Sequence, residues 1–210
     1  TGAYYDATNL TYYFVAVNYD TTQGAKVWKG TDLTSPGSWT NSSYSGGSSV
    51  GYTAGITGNS SVVVSWIQST IWKNAPTSAM TSATYTYNGS VALDTAYGNS
   101  VFCAVGNSGL IRTSPDGTTW TSRTSGTSSA LRSITWSGTQ FVAVGDSGVI
   151  LTSPDGTTWT SRTSGTSNSI HCVYYANSYY VAVTEMLQMM YSTDGSTWTL
   201  GAAKYAASLD

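Results

Sequence analysis

The sequence predicts an all-β fold, and three observations carry this prediction. Aromatic residues make up 13% of the 210 residues, with 16 Tyr and 8 Trp, and such side chains favour strands. The 22 Gly, together with many Ser, Thr and Asn, mark turns at short intervals along the chain. Between those turns lie short runs of Val, Ile and aromatic residues, whereas the Leu and Glu that favour long helices are scarce.

Charge and hydropathy argue against several classes of partner. Only 9% of the residues are charged, with 8 Lys and Arg against 10 Asp and Glu, for a net charge of −2. Nucleic-acid binding depends on clustered Lys and Arg, so we expect no nucleic-acid partner. No apolar run approaches the roughly 18 residues that span a bilayer, so we expect no membrane insertion. The sequence opens on Thr1 without Met, and we expect a processed, trimmed or partial chain.

An internal repeat of 39 residues organises the second half of the chain. The sixteen residues TSPDGTTWTSRTSGTS begin at Thr113 and again at Thr152, and a related run, STDGSTWT, begins at Ser192. A short apolar run precedes each copy at the same spacing, as FCAV, FVAV and YVAV. Diverged copies of the apolar run occur near Phe14 and Ser61, so five units of about 40 residues account for nearly the whole chain.

Each unit has the pattern of four short strands. In the fourth unit we predict strands that begin at Leu131, Phe141, Val149 and Thr157, separated by turns that contain Gly or Asp. Several such units bury their faces by packing radially, so the sequence predicts one five-bladed β-propeller of four-stranded antiparallel blades. The predicted blades are residues 1–45, 46–87, 88–126, 127–165 and 166–205, with a tail at 206–210.

The turn between the third and fourth strands resembles a known repeat motif. SPDGTTW at Ser114 and Ser153 and STDGSTW at Ser192 resemble the Asp-box of the bacterial neuraminidase repeat, in a shortened form in which Gly directly follows Asp. The resemblance implies a β-propeller in which this box is architectural. The chemistry agrees, because a turn carboxylate accepts hydrogen bonds from the following amides and a Trp fills the space between blades. The structural residues so implied are Asp116, Trp120, Asp155, Trp159, Asp194 and Trp198.

The same resemblance raises the question of sialidase activity, and the residues argue against it. Sialidases that resemble this repeat use an arginine triad, a Tyr nucleophile paired with Glu, and an Asp acid/base. Here Arg123 and Arg162 are repeat equivalents expected on different blades, and Glu185 is the sole glutamate. The single histidine, His171, forms no evident nucleophile pair, and no metal ligands converge. We therefore predict a non-enzymatic member of the family, with no catalytic residue, no cofactor and no metal.

Candidate binding residues occupy the irregular loops at the end opposite the Asp-boxes. Unit one carries an inserted loop around Tyr19, and unit five has the apolar pair Met186 and Leu187, which we expect to form an exposed contact patch. Arg132 and His171 are repeat equivalents near the start of the innermost strand. A buried, hydrogen-bonded histidine is the favoured interpretation of His171, and a binding role is the alternative. The full candidate set is Tyr19, Asp20, Gln68, Asn107, Arg132, Asp146, His171, Glu185, Met186 and Leu187.

Four sulfur-containing side chains are expected in the core. Cys103 and Cys172 fall on different strands of non-neighbouring repeats, so we expect no disulfide and favour two buried free thiols. Met189 and Met190 are expected in the core of the third strand of the last unit.

Composition also suggests the class of ligand. A neutral surface rich in Ser, Thr, Tyr and Trp suits a neutral polar ligand, because aromatic faces stack on sugar C–H groups while hydroxyls fix orientation. The favoured hypothesis is a lectin-like or receptor-recognising module, extracellular or on a virion surface, that binds a glycan or a cell-surface receptor. The alternative is a structural component of a virus particle or surface layer, in contact with other subunits of a larger assembly.

Overall fold

The computed structural model describes residues 91–201 in full and, before them, the backbone of seven strands in two sheets. The first sheet is antiparallel and contains β1 (Gly2–Asp6), β2 (Thr11–Val17), β3 (Ala25–Gly30) and β4 (Thr40–Ser43). The second is also antiparallel and contains β5 (Ala54–Gly58), β6 (Val63–Ile67) and β7 (Thr70–Asn74).

Residues 91–201 form three four-stranded sheets, in each of which consecutive strands lie side by side. The third sheet of the chain contains β8 (Ala92–Gly98), β9 (Val101–Gly106), β10 (Leu110–Ser114) and β11 (Thr121–Arg123). The fourth contains β12 (Leu131–Trp136), β13 (Phe141–Gly145), β14 (Ile150–Ser153) and β15 (Thr160–Arg162). The fifth contains β16 (Ile170–Ala176), β17 (Tyr179–Thr184), β18 (Met189–Ser192) and β19 (Thr199–Leu200).

The predicted all-β class with antiparallel four-stranded sheets is confirmed in these ranges, but the predicted blade number is not. The described strands form four four-stranded sheets and one three-stranded sheet. The chain divides into two compact units, one of Thr1–Leu93 with Ser114–Thr119 and one of Asp94–Thr113 with Trp120–Asp210. The single domain and the blade boundaries stay predictions. No helix in the described part of the chain is long and apolar enough to cross a bilayer.

The core of the compact unit formed by Asp94–Thr113 and Trp120–Asp210 lies between stacked sheets. Successive side chains of a strand point to opposite faces, and the residues from Phe141 to Val144 are all fully buried. Phe141 and Ala143 pack with residues of the third sheet, whereas Val142 and Val144 pack with residues of the fifth. The fourth sheet is therefore covered on both faces, which is why the run FVAV is apolar throughout rather than alternating.

The fourth strand of the fourth sheet is shorter than predicted. We expected it to begin at Thr157 in the fourth sheet, but β15 begins at Thr160. The reason is that the backbone N–H groups of Thr157 and Thr158 donate to Oδ1 of Asp155, at 2.7 and 3.2 Å. Amides held by a turn carboxylate do not pair with a neighbouring strand, so the turn takes up the first residues of the predicted strand.

The turn after β13 depends on glycine. Gly148 has a φ of +71°, and a Cβ at that position would collide with the carbonyl oxygen of Thr166. We expect Gly148→Ala to lower the free energy of unfolding by about 2 kcal/mol, from left-handed strain together with the clash. Gly126→Ala is the matched control, because Gly126 has a φ of +76° with open space around a Cβ. Urea denaturation should show a smaller loss for the control, and equal losses would contradict the steric argument.

Candidate functional site

A β-bulge presents the repeat-equivalent residues Arg132 and His171 at one edge of the sheets. In the fourth sheet the pairing register shifts between Leu131 and Ser133, and in the fifth it shifts between Ile170 and Cys172. Each shift leaves the intervening residue without a partner in the ladder, and such bulges redirect a side chain. Arg132 and His171 are both exposed as a result. The favoured interpretation of His171 as a buried histidine is therefore wrong.

Arg132 is held by the turn that follows β13. Its guanidinium donates to both carboxylate oxygens of Asp146, through Nε to Oδ1 and through Nη2 to Oδ2, the latter at 3.1 Å. The side chains keep 39% and 30% of their surface exposed, so solvent screens the pair and its contribution to stability is small. Two-point contact does fix the guanidinium in one orientation. The pair therefore contributes little to stability, and it holds the guanidinium and the carboxylate in a fixed relative orientation.

The edge that carries Arg132 and His171 extends across neighbouring sheets through the turns that follow the second strands. The turn Asn107–Gly109 contacts β12, and the turn Asp146–Gly148 contacts β16. In the fifth sheet, Oε1 of Glu185 accepts the backbone N–H of Ser169 at 3.2 Å. Glu185 is the repeat equivalent of Asp146, 39 residues on, as His171 is of Arg132. The same two backbone positions thus carry an oriented ion pair in one sheet and an exposed histidine and glutamate in the next.

The turn of the fifth sheet adds an apolar part to the edge. Met186 and Leu187 are 67% and 66% exposed, as the sequence predicted. We call this edge the rim, and it comprises Asn107, Arg132, Asp146, His171, Glu185, Met186 and Leu187. The candidate residues Tyr19, Asp20 and Gln68 lie outside the described residues.

Two further burial predictions need correction. Cys103 is buried and Cys172 is exposed, and both are free, so only the absence of a disulfide and the burial of Cys103 are confirmed. Met190 is fully buried, but Met189 is 58% exposed. In both cases the exposed residue points to the face of the fifth sheet away from the fourth, because side chains alternate along a strand.

The turns 114–119, 153–158 and 192–197 share one hydrogen-bond pattern, which we describe for the last of them. Asp194 Oδ1 accepts the backbone N–H groups of Ser196 and Thr197, both at 2.8 Å, and the hydroxyl of Ser192 at 2.9 Å. The backbone amides of Thr197 and Ser196 lower the pKa of Asp194 to about 2. The amide of Thr157 is likewise the main cause that lowers the pKa of Asp155. These carboxylates are occupied within their own turns, as an architectural role requires.

The tryptophans that follow the second and third of these turns pack between sheets, and the one after the first is buried. Trp159 packs against the core shared by the third and fourth sheets, and its Nε1 donates to the carbonyl oxygen of Gly156 at 2.9 Å. Trp198 packs against the core shared by the fourth and fifth sheets and donates to the carbonyl oxygen of Gly195 at 3.0 Å. Trp120 is 6% exposed. The rings of Trp159 and Trp198 are therefore committed to packing between sheets, and Trp120 is buried.

Asp94 is a chemically distinctive residue that the sequence analysis missed. Its Oδ2 accepts the hydroxyl of Ser133 and the backbone N–H of Ile134, both at 2.9 Å, and its Oδ1 accepts the backbone N–H of Thr95 at 2.8 Å. Burial of the carboxyl group raises the pKa of Asp94 to about 6, although the three hydrogen bonds act to lower it. Ser133 Oγ in turn accepts the backbone N–H of Val173 at 3.3 Å. Side chains at equivalent positions therefore connect the first strands of successive sheets.

A signal for this residue was present in the repeat. Asp94, Ser133 and Cys172 are 39 residues apart, so one copy places a carboxylate where the others place small side chains.

In the described residues, no three His, Cys, Asp or Glu side chains come together as metal ligands.

Stacked four-stranded antiparallel meanders define a β-propeller type of fold. No protein-family model and no curated protein matches the sequence. Among solved structures the chain is similar to YCF48 bound to D1 peptide, with a TM-score of 0.65 and 14% identity over 90% of this chain and 63% of that one. It is also similar to YCF48 from Cyanidioschyzon merolae, with a TM-score of 0.61 and 13% identity over 97% and 72%.

A third similar structure is that of the RRP9 WD40 repeats, with a TM-score of 0.65 and 8% identity over 96% of this chain and 64% of that one. These neighbours are β-propeller proteins, and the likeness shows that the chain has the propeller type of fold. The chain spans less than two thirds of the length of the first of these structures.

Proposed function

We propose that this protein is a non-enzymatic interaction module that recognises a protein partner, such as a surface receptor, through the rim. The observation that carries the proposal is the juxtaposition of the oriented Arg132–Asp146 pair with exposed His171 and Glu185 and with the apolar turn at Met186. Polar groups in fixed orientation give specificity, and exposed apolar side chains give affinity. The YCF48 structure with a bound peptide is one propeller that binds a polypeptide, which supports the proposal by analogy.

The absence of enzymatic activity belongs to the same proposal. Three arginines make hydrogen bonds within their own repeat units, and these are Arg132 to Asp146, Arg123 to Thr113 Oγ1 at 2.8 Å, and Arg162 to Thr152 Oγ1 at 2.9 Å. A convergent arginine triad would require these groups to leave their partners. Hydrolysis of a sialoside or another glycoside by the purified protein would overturn the proposal.

We further propose that the turn carboxylates and tryptophans are Asp-boxes in the sense of the neuraminidase repeat. We propose as a second point that the complete arrangement has five blades, and as a third that the protein acts outside cells or on a virion surface. The occupied carboxylate of Asp194 and the packed ring of Trp198 support the first point. The repeat of 39 residues with diverged copies supports the second, and the low charge with many hydroxyl and aromatic side chains supports the third.

Rim variants test the proposal. Peptides selected from a random library against the purified protein provide a defined probe, and their Kd values are then measured with variants. Arg132→Ala, Glu185→Ala and Met186→Ala should each weaken binding by about tenfold or more, because each removes an oriented polar or apolar contact. Thr157→Ala is the matched control, since Thr157 is an exposed residue in a turn at the opposite end of the strands. Selected peptides whose Kd is unchanged by all three rim variants would exclude the rim as the binding site.

A lectin-like role is the second candidate, favoured by the neutral composition rich in Ser, Thr, Tyr and Trp. A glycan array would support it through binding at micromolar Kd or tighter that Tyr19→Ala or Glu185→Ala abolishes. No glycan binding, together with a stable complex with other subunits, would instead favour a structural component of a particle or surface layer.

A further inference from the structure

The fourth and fifth sheets each place a carboxylate at the start of the turn that follows the second strand. The backbone N–H of Asp146 donates to the carbonyl oxygen of Ala130 at 2.9 Å, and that of Glu185 donates to the carbonyl oxygen of Ser169 at 2.8 Å. In both cases the residue of the fifth sheet lies 39 positions after its counterpart. The two carboxylates therefore leave the backbone from matched places.

In the fourth sheet this carboxylate binds a guanidinium. Arg132, at the bulge of β12, donates to both oxygens of Asp146 through Nε and Nη2. Two N–H groups of a guanidinium match the two oxygens of a carboxylate, which a lysine ammonium cannot do. The fourth sheet thus shows which cation this edge of a sheet holds.

In the fifth sheet the matching cation is replaced. His171 occupies the position of Arg132, at the equivalent bulge of β16, and among the described residues no hydrogen bond or ion pair joins His171 to Glu185. Oε1 of Glu185 accepts the backbone N–H of Ser169, but an ionised carboxylate can accept several hydrogen bonds. Glu185 therefore keeps acceptor capacity at the place where the fourth sheet has a bound guanidinium.

This edge stays in water when the face of its sheet is covered. The fifth sheet covers one face of the fourth at Val142 and Val144, yet the side chains of Arg132 and Asp146 remain 39% and 30% exposed. Glu185 belongs to the equivalent edge of the fifth sheet and is itself exposed. A further sheet packed on the face of the fifth would thus leave Glu185 accessible, as the fifth sheet leaves Asp146.

The arginines of this chain are placed elsewhere. They are Arg112, Arg123, Arg132 and Arg162, all within residues 91–201. The last three are hydrogen-bonded within their own repeat units, and Nε of Arg112 is buried in the third sheet. A guanidinium on Glu185 therefore comes from another molecule.

The turn beside Glu185 adds an apolar contact in an unusual backbone conformation. Leu187 has a φ of +56° and is 66% exposed, and its repeat equivalent in the fourth sheet is Gly148, with a φ of +71°. Residues other than glycine rarely adopt this left-handed conformation. Strained residues of this kind cluster where proteins bind other molecules, so an exposed leucine in such a turn indicates a contact residue. Met186, 67% exposed, extends the apolar surface.

We propose that the fifth-sheet part of the rim binds an arginine side chain of the protein partner. The guanidinium takes the place on Glu185 that Arg132 takes on Asp146, and Met186 and Leu187 contact apolar residues next to that arginine. Charge agrees, because the rim has one arginine against two carboxylates and a cationic residue completes the balance. This inference rests on the proposed function of the rim and specifies the partner as a polypeptide with an arginine beside apolar residues.

Two pentapeptide libraries test the proposal. Both are acetylated and amidated, with random residues around a central arginine in one and around a central citrulline, which has a similar shape without the charge, in the other. The purified protein should retain arginine peptides with apolar neighbours and few citrulline peptides. Their Kd should rise by about tenfold or more in Glu185→Gln, which removes the charge but keeps an acceptor for the amide of Ser169.

His171→Arg is the second variant, because it restores the arginine of the fourth sheet and fills the site from within the chain. We expect the Kd of the arginine peptides to rise by about tenfold or more here as well. Thr157→Arg is the matched control, since it adds the same charge at an exposed turn at the opposite end of the strands. The Kd in this control should match that of the wild-type protein.

The outcomes separate this inference from the proposed function. Equal retention of both libraries, or arginine peptides whose Kd is unchanged in Glu185→Gln and His171→Arg, would overturn the arginine site. If Met186→Ala still weakens the binding of those peptides, the rim stands as the binding surface. Retention of neither library, as expected if a lysine of this chain occupies Glu185, would also overturn the arginine site, whereas the peptides selected without a fixed arginine decide on the rim.

Discussion

Trp159→Ala should lower the free energy of unfolding by about 3 kcal/mol, with a corresponding fall in Tm. The ring packs against the core between the third and fourth sheets, 6.4 Å from the ring of Phe141, and its removal leaves a cavity there. The value lies at the lower end of the range for tryptophan truncation because the residue is partly exposed. Urea denaturation followed by far-UV circular dichroism measures the loss.

Asp155→Ala is the comparison that separates packing from turn chemistry. Asp155 accepts two backbone amides and the hydroxyl of Ser153, but it lies in an exposed turn where those donors regain water when the carboxylate is removed. We therefore expect a loss of about 1 kcal/mol. Equal losses for Trp159→Ala and Asp155→Ala would contradict the assignment of the tryptophan as the main stabilising residue of this motif.

Stability should also fall between about pH 4 and pH 6 because of Asp94. The pKa of this carboxyl is raised from 3.8 to about 6 in the folded state. The folded state therefore holds the proton more tightly than the unfolded state, so the contribution is present below pH 4 and is lost as pH rises through 6. At 1.36 kcal/mol per unit of pKa, the loss amounts to up to about 3 kcal/mol.

Asp94→Asn tests this, because it removes the titration while it keeps a side chain of the same shape. Denaturation midpoints at pH 4 and pH 7 should differ less in Asp94→Asn than in the wild-type protein. Asp194→Asn is the control, because Asp194 has a pH dependence of the opposite sign. The pKa of Asp194 is lowered to about 2 in the folded protein, so its contribution to stability is present above pH 4 and is lost only as pH falls toward 2. A wild-type decline that persists unchanged in Asp94→Asn would exclude Asp94 as its source.

The repeat allowed much of the fold to be predicted, because each sheet is built from local contacts. The hairpin of β13 and β14 follows from FVAV, the turn at Gly148 and the apolar run after it, all within a few residues. The limits of β15 were wrong because the pattern of Thr residues after Asp155 suits a strand and a capped turn equally well.

The equivalence of Arg132 and His171 was predicted, and so was the exposure of Met186 and Leu187, but the exposure of His171 was not. The spacing of 39 residues placed Arg132 and His171 at the same point of successive sheets, and the structure agrees. It gave no sign of the bulge that turns both side chains outward, since a bulge depends on the register of two paired strands. Asp94 was missed for a related reason: its partners Ser133 and Ile134 are about 40 residues away in sequence.

The amino-acid sequence alone determined three features of this protein: the order of strands within a hairpin, the turn residues and the equivalence of repeated positions. All three are properties of short segments. Which face of a sheet is covered is decided only when two sheets meet. Val142 and Val181 occupy equivalent positions in nearly identical runs, yet the first is fully buried and the second is partly exposed. Burial is a property of a pair of surfaces, so no single strand encodes it.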